Sequence, residues 1–191
     1  MADIRKLART ARRPGKDRAA AIAAMVELAR IYGEGRDGVP PNQGAARAWA
    51  ERAAKLASPD GYYEITRIAG SACIATDNAD FKQEHARYVV GTCDIDTIRR
   101  FGRPEIAYNA GIVCEYMADF FNAAGRIDEC VEYIACAVDY YKLARELSVF
   151  VPGELSARAK DGATMGLERI IGALRSSPAP KMRPPHQYTF H

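Results

Sequence analysis

Apolar residues recur along most of the chain three and four positions apart, a spacing that places them on one face of a helix. This spacing holds in residues 22–32, returns in residues 46–56, and is most regular after residue 104. No stretch alternates apolar and polar residues for long between turn residues, as a half-buried strand would. The pattern therefore predicts an all-α protein of roughly seven helices, with helical hairpins packed as a short, irregular α-solenoid or bundle.

Two helical hairpins are predicted from the positions of glycine, proline and capping residues. The first covers residues 20–57, where a glycine-rich turn is followed by Asn42, a residue type that favours the N-cap of a helix. The second covers residues 104–149, and Pro104 stands where the first helical residue is expected. Its two helices are joined through Gly125 by a connection so short that they must pack antiparallel.

The remaining segments complete a single predicted helical domain over residues 1–175. Between the two hairpins, Asp94 is expected to cap a brief helix. The last residues, 176–191, contain four prolines and no apolar periodicity, so we expect a flexible, Pro-rich tail. In that tail, Tyr188 and Phe190 are apolar side chains that a partner groove could capture.

Small residues, aromatic residues and glycines follow a fixed order in residues 24–57. They read A-x-x-x-L-A-x-x-Y-x-x-G, then G-V-x-x-N, then A-x-x-W-x-x-x-A-A. This pattern resembles the Sel1-like repeat, a relative of the tetratricopeptide repeat (TPR), in which small residues let two helices cross closely and glycines permit the turn. At three positions the chain differs from the family: Ala29 stands where Gly is usual, Asn42 where Asp is usual, and Ala50 where Tyr is usual.

The resemblance implies a TPR-like or Sel1-like α-solenoid, because one repeat cannot bury both of its faces and needs helical neighbours. It also implies scaffolding or adaptor work, since proteins of this family generally bind other proteins on the concave side of the superhelix. It implies no catalytic residue and no cofactor. We therefore expect a protein-interaction adaptor or inhibitor that acts by occupying a partner surface, and not an enzyme.

Composition agrees with a folded protein of the cytoplasm. Of the 191 residues, 48% are hydrophobic and 27% are charged, which is typical of a globular chain and not of a disordered one. No apolar run reaches the roughly 18–20 residues that cross a bilayer, so no membrane span is expected. Basic residues interrupt the N-terminal apolar stretch that a secretion signal would need. The five cysteines include no CxxC pair and are expected to be reduced, structural thiols.

Charge is distributed unevenly although the net charge is only +3. Residues 1–18 contain seven Lys or Arg against two acids, whereas residues 105–146 contain eight acids against three basic residues. The N-terminal helix is therefore expected to be a solvated cap, a contact to the acidic face of a second copy in a homo-oligomer, or a phosphate-binding surface. Its arginines interleave no aromatic residue for base stacking, which makes nucleic-acid association the alternative function rather than the first. The expected phosphate or acidic-partner contacts are Arg5, Arg9, Arg12 and Arg13.

Tyrosine and acidic residues are concentrated in the second hairpin. Tyr133 and Tyr140 lie seven residues apart. We predict that their face lies away from the buried side of the helix, which carries Val131, Ile134, Val138 and Tyr141. Tyrosine is favoured at interface hot spots, so one hypothesis is an acidic, tyrosine-rich groove that takes a basic segment of a partner. The alternative is a set of partly buried tyrosines whose hydroxyls reach the surface. The predicted partner-binding side chains are Tyr108, Tyr116, Tyr133, Tyr140, Glu129 and Glu132.

Most catalytic signatures are absent, among them GxxxxGK[ST], HExxH, GxGxxG and GxSxG. His85 is the one histidine before the tail, and a lone helical histidine is more often structural than a catalytic base. Glu115 and Asp119 lie one helical turn apart and could bind a metal ion if a second helix offered matching acids. Glu129 and Glu132 stand on that helix, so a metal-carboxylate enzyme is a further alternative. A solvated acidic face is the simpler interpretation, and we predict no catalytic residue, no metal and no cofactor.

Overall fold

Nine α-helices and no strand form over residues 3–75 and 79–176, the parts of the chain that this computed structural model describes. The prediction of an all-α protein is confirmed over these residues. The predicted tail, with Tyr188 and Phe190, lies outside them, except that residue 176 ends the last helix. The helices are α1 (Ile4–Ala11), α2 (Arg18–Glu34), α3 (Gln43–Lys55), α4 (Pro59–Ala75), α5 (Ala79–Thr92), α6 (Ile95–Phe101), α7 (Pro104–Ala123), α8 (Ile127–Ser148) and α9 (Glu154–Ser176).

Short polar side chains fix where several helices begin. Each of four N-cap side chains accepts a hydrogen bond from the backbone amide three residues later, with N···O distances of 2.9–3.0 Å. These bonds satisfy amides that have no partner within the helix, and each cap contributes about 1 kcal/mol. The caps are Asp3 for α1, Asp17 for α2, Asn42 for α3 and Asp94 for α6.

Each longer helix packs against the next one or two along the chain. Helices α2, α4, α7 and α9 form a row in which each contacts the next. Helices α3, α5 and α8 each pack against two successive members of this row, so that α3 lies on α2 and α4, α5 on α4 and α7, and α8 on α7 and α9. Helix α1 covers α2, and the short α6 packs on α7 and α8. We call the α2–α4–α7–α9 series the helix row.

Small residues set the close spacing of the first helices. Ala46, Ala50 and Ala53 on α3 have no exposed surface, and they face α2 and α4 with little side-chain volume between the backbones. Gly61 lies still closer, because a Cβ atom at this position would stand 2.4 Å from the backbone nitrogen of Ala54. The start of α4 therefore rests directly on the end of α3, which only a glycine permits.

One tyrosine fills the space between α7, α8 and α9. Tyr141 on α8 is fully buried, and its ring lies between two glycines of the neighbouring helices. A Cβ atom at Gly111 on α7 would stand 2.6 Å from this ring, and one at Gly166 on α9 would stand 2.4 Å from it. The Tyr141 hydroxyl donates a hydrogen bond to Glu115 at 2.5 Å. The second hairpin and α9 are thus packed around a single aromatic side chain.

The predicted buried face of α8 is right at Tyr141, which is fully buried, and at Ile134 and Val138, which pack against the core, but it is wrong at two other positions. Val131, expected in the core, is 58% exposed, whereas Tyr140, expected on the open face, is only 4% exposed. The Tyr140 hydroxyl donates a hydrogen bond to the Cys93 carbonyl at 3.0 Å, which satisfies the one polar group that its burial would otherwise leave without a partner. Helix α8 is covered by α7, α9 and α6 from different sides, so it has no single apolar stripe from which its buried face could be predicted.

Substitution at the Tyr141 contact tests this packing. We expect Gly166→Ala to lower the free energy of unfolding by about 1–3 kcal/mol, because the added methyl group would overlap the Tyr141 ring in a filled core. Gly172→Ala, on the same helix with no atom within 4 Å of the added carbon, should be neutral or stabilise by up to about 1 kcal/mol. Urea denaturation of both variants checks this, and equal effects of the two changes would contradict the packing described.

Candidate functional site

A groove runs between α7 and α9 on the helix row. It consists of two cavities of about 370 Å³ and 290 Å³ that share three side chains, those of Glu115, Asp119 and Arg169. We call the two together the α7–α9 groove. Its first cavity is completed by Tyr108, Ile112 and Tyr116. Its second is completed by Ala118, Asn122, Cys130, Ile134, Ile170, Ala173 and Leu174.

A bidentate ion pair joins the two helices across the middle of the groove. The Arg169 Nε and Nη2 atoms donate to the two Glu115 carboxylate oxygens at 2.9 and 2.8 Å, while the Tyr141 hydroxyl donates to Oε2. The hydrogen bond to Glu115 raises the pKa of Arg169, and burial together with the Glu115 hydrogen bond raises the pKa of Tyr141. Glu115 is therefore committed to the structure and is not available to a ligand.

Asp119 supplies the second carboxylate of the groove, one helical turn after Glu115. Burial raises its pKa, the negative charge of Glu115 raises it further, and Arg169 acts in the opposite direction. Among the described residues, no hydrogen-bond or ion-pair partner holds the Asp119 carboxylate. This side chain can therefore accept a cationic group from outside the chain.

Only two of the six predicted partner-binding side chains line this groove. Tyr116 is 41% exposed, and Tyr108 is half-buried with its ring against Gly162 of α9, where a Cβ atom would stand 2.5 Å from the ring. The other four lie elsewhere, so the predicted single groove is wrong. Tyr140 is buried, Tyr133 stacks on Phe121, Glu129 accepts a hydrogen bond from Arg126, and Glu132 is exposed on α8.

The carboxylates of α7 and α8 do not come together as the metal-site alternative requires. Glu129 is paired with Arg126, and Glu115 with Arg169. In the described parts of the chain, no grouping of three or more His, Cys, Asp or Glu side chains is suited to a metal ion. His85 is buried in α5, at 4% exposure. Among the helices of residues 3–75 and 79–176, none combines the length and apolar composition of a membrane span.

Sequence reasoning missed the contribution of α9 to the groove. Arg169 is 54 residues from Glu115, so no local spacing connects the two. One signal was available: Gly162 and Gly166 lie one turn apart, and two small residues at this spacing let a neighbouring helix approach closely. Arg169 follows on the same side of the helix, beside the surface that the glycines open.

The helix row carries two further hollows. The larger, about 820 Å³, lies between α1, α2 and the start of α4 and is lined by both acidic and basic side chains, Lys6, Glu27, Arg30 and Asp60 among them. The other, about 180 Å³, lies between α4 and α7 and shares Ile112 with the α7–α9 groove. The row therefore has a series of depressions rather than one deep cleft.

A charged triad joins α2 to α4 between these two hollows. Glu64 is fully buried and accepts hydrogen bonds from Arg30 Nε and from Arg67 Nε, each at 2.7 Å. The hydrogen bond to Glu64 is the largest cause of the raised pKa of Arg30. A buried carboxylate is tolerated only when it is paired and hydrogen-bonded, and the two guanidinium groups meet that requirement.

The four N-terminal arginines form one exposed surface on α1 and on the two residues that follow it. Together with Ile4 and Ala8, they line a shallow depression of about 440 Å³. The opposite side of α1 packs against α2 and buries Ala11. Within the part of the chain that the structure describes, no acidic side chain forms an ion pair with these arginines. The surface consists of Arg5, Arg9, Arg12 and Arg13, and we call it the arginine face.

Comparison with models of known protein families, with curated proteins and with solved structures finds no match for this chain.

The electrostatics of the groove can be tested through stability. Because the pKa of Asp119 is raised in the folded chain, the folded state holds the proton more tightly than the unfolded state does, and ionised Asp119 destabilises the fold near neutral pH. This destabilisation disappears as the pH falls through the raised pKa. We therefore expect Asp119→Asn to unfold at higher urea concentration than the unmodified chain at about pH 7, with the difference vanishing at about pH 3.5.

The matched control is Asp161→Asn, which removes one exposed carboxylate from α9. It corrects for the change in net charge. If Asp119→Asn were less stable than the unmodified chain at neutral pH, or if its gain persisted in acid, the assigned direction of the Asp119 pKa shift would be wrong.

Proposed function

We propose that this chain is a protein-interaction adaptor or inhibitor, built as a short, irregular Sel1-like or TPR-like α-solenoid. The order of helix contacts supports the solenoid. In such an array the first helices of successive hairpins contact one another and the second helices pack between them, which is the relation between the helix row and α3, α5 and α8. The Sel1-like pattern of residues 24–57 falls on α2 and α3, the first hairpin of this order.

The α7–α9 groove is the proposed binding site for a basic segment of the partner. Tyr116 and Ile112 offer apolar surface beside the Asp119 carboxylate, and such a combination suits a Lys or Arg side chain with an apolar neighbour. Because Arg169 and Tyr141 already hold Glu115, the groove walls are ordered before binding. Pre-ordered side chains reduce the entropy that binding costs. Occupation of a partner surface is thus the proposed action.

A defined probe can test this site without knowledge of the natural partner. We expect a phage-displayed library of random peptides, selected on the intact chain, to yield sequences with Lys or Arg next to an apolar residue. Their affinity should fall at least about tenfold for Tyr116→Ala and for Asp119→Asn, a loss of about 1.4 kcal/mol in binding free energy. Fluorescence anisotropy with the synthesised peptides measures the change.

The matched control for Tyr116 is Phe150→Ala. Phe150 is an aromatic residue with 76% exposure that follows α8 and is not part of the groove, so its loss should leave peptide binding unchanged. Peptides that bind Tyr116→Ala as tightly as the unmodified chain, or that lose affinity equally for Phe150→Ala, would contradict the assignment of the groove.

The arginine face supports a second candidate function, association with nucleic acid. Four exposed guanidinium groups around one depression can contact successive phosphates, and such binding releases counterions and weakens steeply with salt. This function predicts a band shift with a generic DNA duplex at low salt that is lost in a variant with Arg5, Arg9, Arg12 and Arg13 changed to Gln.

The same arginines could instead bind the acidic 105–146 surface of a second copy. Light scattering at low and high salt distinguishes the two uses. A salt-sensitive dimer without a band shift would assign the arginine face to self-association, and a monomer without a band shift would leave it as a solvated cap on the first helices.

A further inference from the structure

Two cysteines face each other between α7 and α8. Contacts between these antiparallel helices join Gly111 to Tyr141 and Phe121 to Tyr133. Cys114 on α7 and Cys136 on α8 lie between these two contacts. The thiols of Cys114 and Cys136 are within hydrogen-bonding reach of each other. The pair therefore lies in the middle of the contact between α7 and α8.

The two thiols differ in exposure and in acidity. Cys114 has no exposed surface, whereas Cys136 is only partly buried and keeps some contact with solvent. The hydrogen bond from Cys114 lowers the pKa of Cys136 to about 7, against the opposing effects of burial and of the acids Asp139 and Glu132. The pKa of Cys114 is raised by the same hydrogen bond and by burial. At neutral pH the accessible thiol is thus the one that ionises, and the buried thiol keeps its proton.

We propose that Cys114 and Cys136 form a peroxide-reactive dithiol, with Cys136 as the attacking thiol and Cys114 as the resolving thiol. The pairing of an accessible thiol with a buried one on the facing helix is the arrangement that this chemistry requires, because the first product must find a second thiol within reach. The substrate class is hydrogen peroxide or a small organic hydroperoxide. This site does not depend on the α7–α9 groove.

The reaction proceeds in two balanced steps. The Cys136 thiolate attacks one peroxide oxygen, the O–O bond breaks, and the sulfur becomes a sulfenic acid while the other oxygen leaves as hydroxide and takes up a proton. The Cys114 thiol then attacks the sulfenic sulfur and the S–O bond breaks. The departing hydroxyl group takes up the thiol proton and leaves as water. In total, two thiols and one hydrogen peroxide give one disulfide and two water molecules.

The other described cysteines provide a built-in comparison. Burial raises the pKa of Cys73 to about 11 and that of Cys93 to about 12. Burial also raises the pKa of Cys130, which lines the second cavity of the groove on another side of α8. These thiols stay protonated at neutral pH and are expected to react slowly.

The experiment treats the intact, reduced chain with hydrogen peroxide and follows free thiols and mass. We expect the rapid loss of two thiols per chain, a mass lower by two hydrogen atoms, and a disulfide-linked peptide that joins Cys114 to Cys136 after proteolysis without reductant. The initial rate should rise with pH through about 7, as the Cys136 thiol ionises. The oxidised chain should also melt at a higher temperature, because the new bond constrains the unfolded chain.

Single substitutions separate the two roles. Cys114→Ser should stop at a sulfenic acid on Cys136 that dimedone traps, whereas Cys136→Ser should lose the rapid phase altogether. Cys73→Ser, which removes a thiol outside the α7–α9 groove, should react as the unmodified chain does. Circular dichroism checks that each variant is folded. If a variant does not fold, the disulfide-linked peptide from the unmodified chain still tests the proposal. A persistent sulfenic acid in the unmodified chain, a disulfide to Cys73, a link between two chains, or no rapid thiol loss would each overturn the proposal.

Discussion

The Tyr141 side chain holds together the part of the molecule in which function is proposed. Its ring occupies a slot between Gly111 and Gly166 that exists only because both positions lack a Cβ atom, and its hydroxyl ends on Glu115. That hydrogen bond fixes the carboxylate, and the carboxylate then binds Arg169 through both oxygens. Three helices are therefore held by one continuous contact, which begins in the core and ends at the surface. The spacing of α7, α8 and α9 follows from the thickness of an aromatic ring.

The same contact determines what the groove can bind. An acidic pair one turn apart on a helix would ordinarily offer two carboxylates to a ligand, but here Glu115 is neutralised by Arg169 and only Asp119 is available. The ion pair between Glu115 and Arg169 also reduces the repulsion between Glu115 and Asp119, although the pKa of Asp119 is still raised. The result is a surface with one available negative charge beside tyrosine and isoleucine, which favours a single cationic side chain over a metal ion.

The other side of α8 has a different chemistry although it belongs to the same helix. There Tyr133 and Tyr140 are used for packing, and Cys136 between them meets Cys114. Tyrosine can serve both sides because its ring is apolar and its hydroxyl needs only one partner, which is a carboxylate for Tyr141 and a backbone carbonyl for Tyr140. An outer helix in contact with three neighbours thus presents a proposed binding groove on one side and a thiol pair on another.

The sequence by itself determined the helices and several of their ends, because a cap such as Asn42 or Asp94 acts on amides only three residues away. It also determined part of the arginine face, since Arg5 and Arg9 lie four residues apart on α1 and so share one side of that helix. Only the tertiary structure decided which face of α8 is buried, because aromatic and aliphatic residues surround that helix and either face could enter a core. It alone decided that Glu115 pairs with Arg169 and that Tyr116, not Tyr140, lines a groove. Those outcomes depend on how closely the helices approach one another. Gly111, Gly166 and the Tyr141 ring set that distance, and these residues lie far apart in the chain.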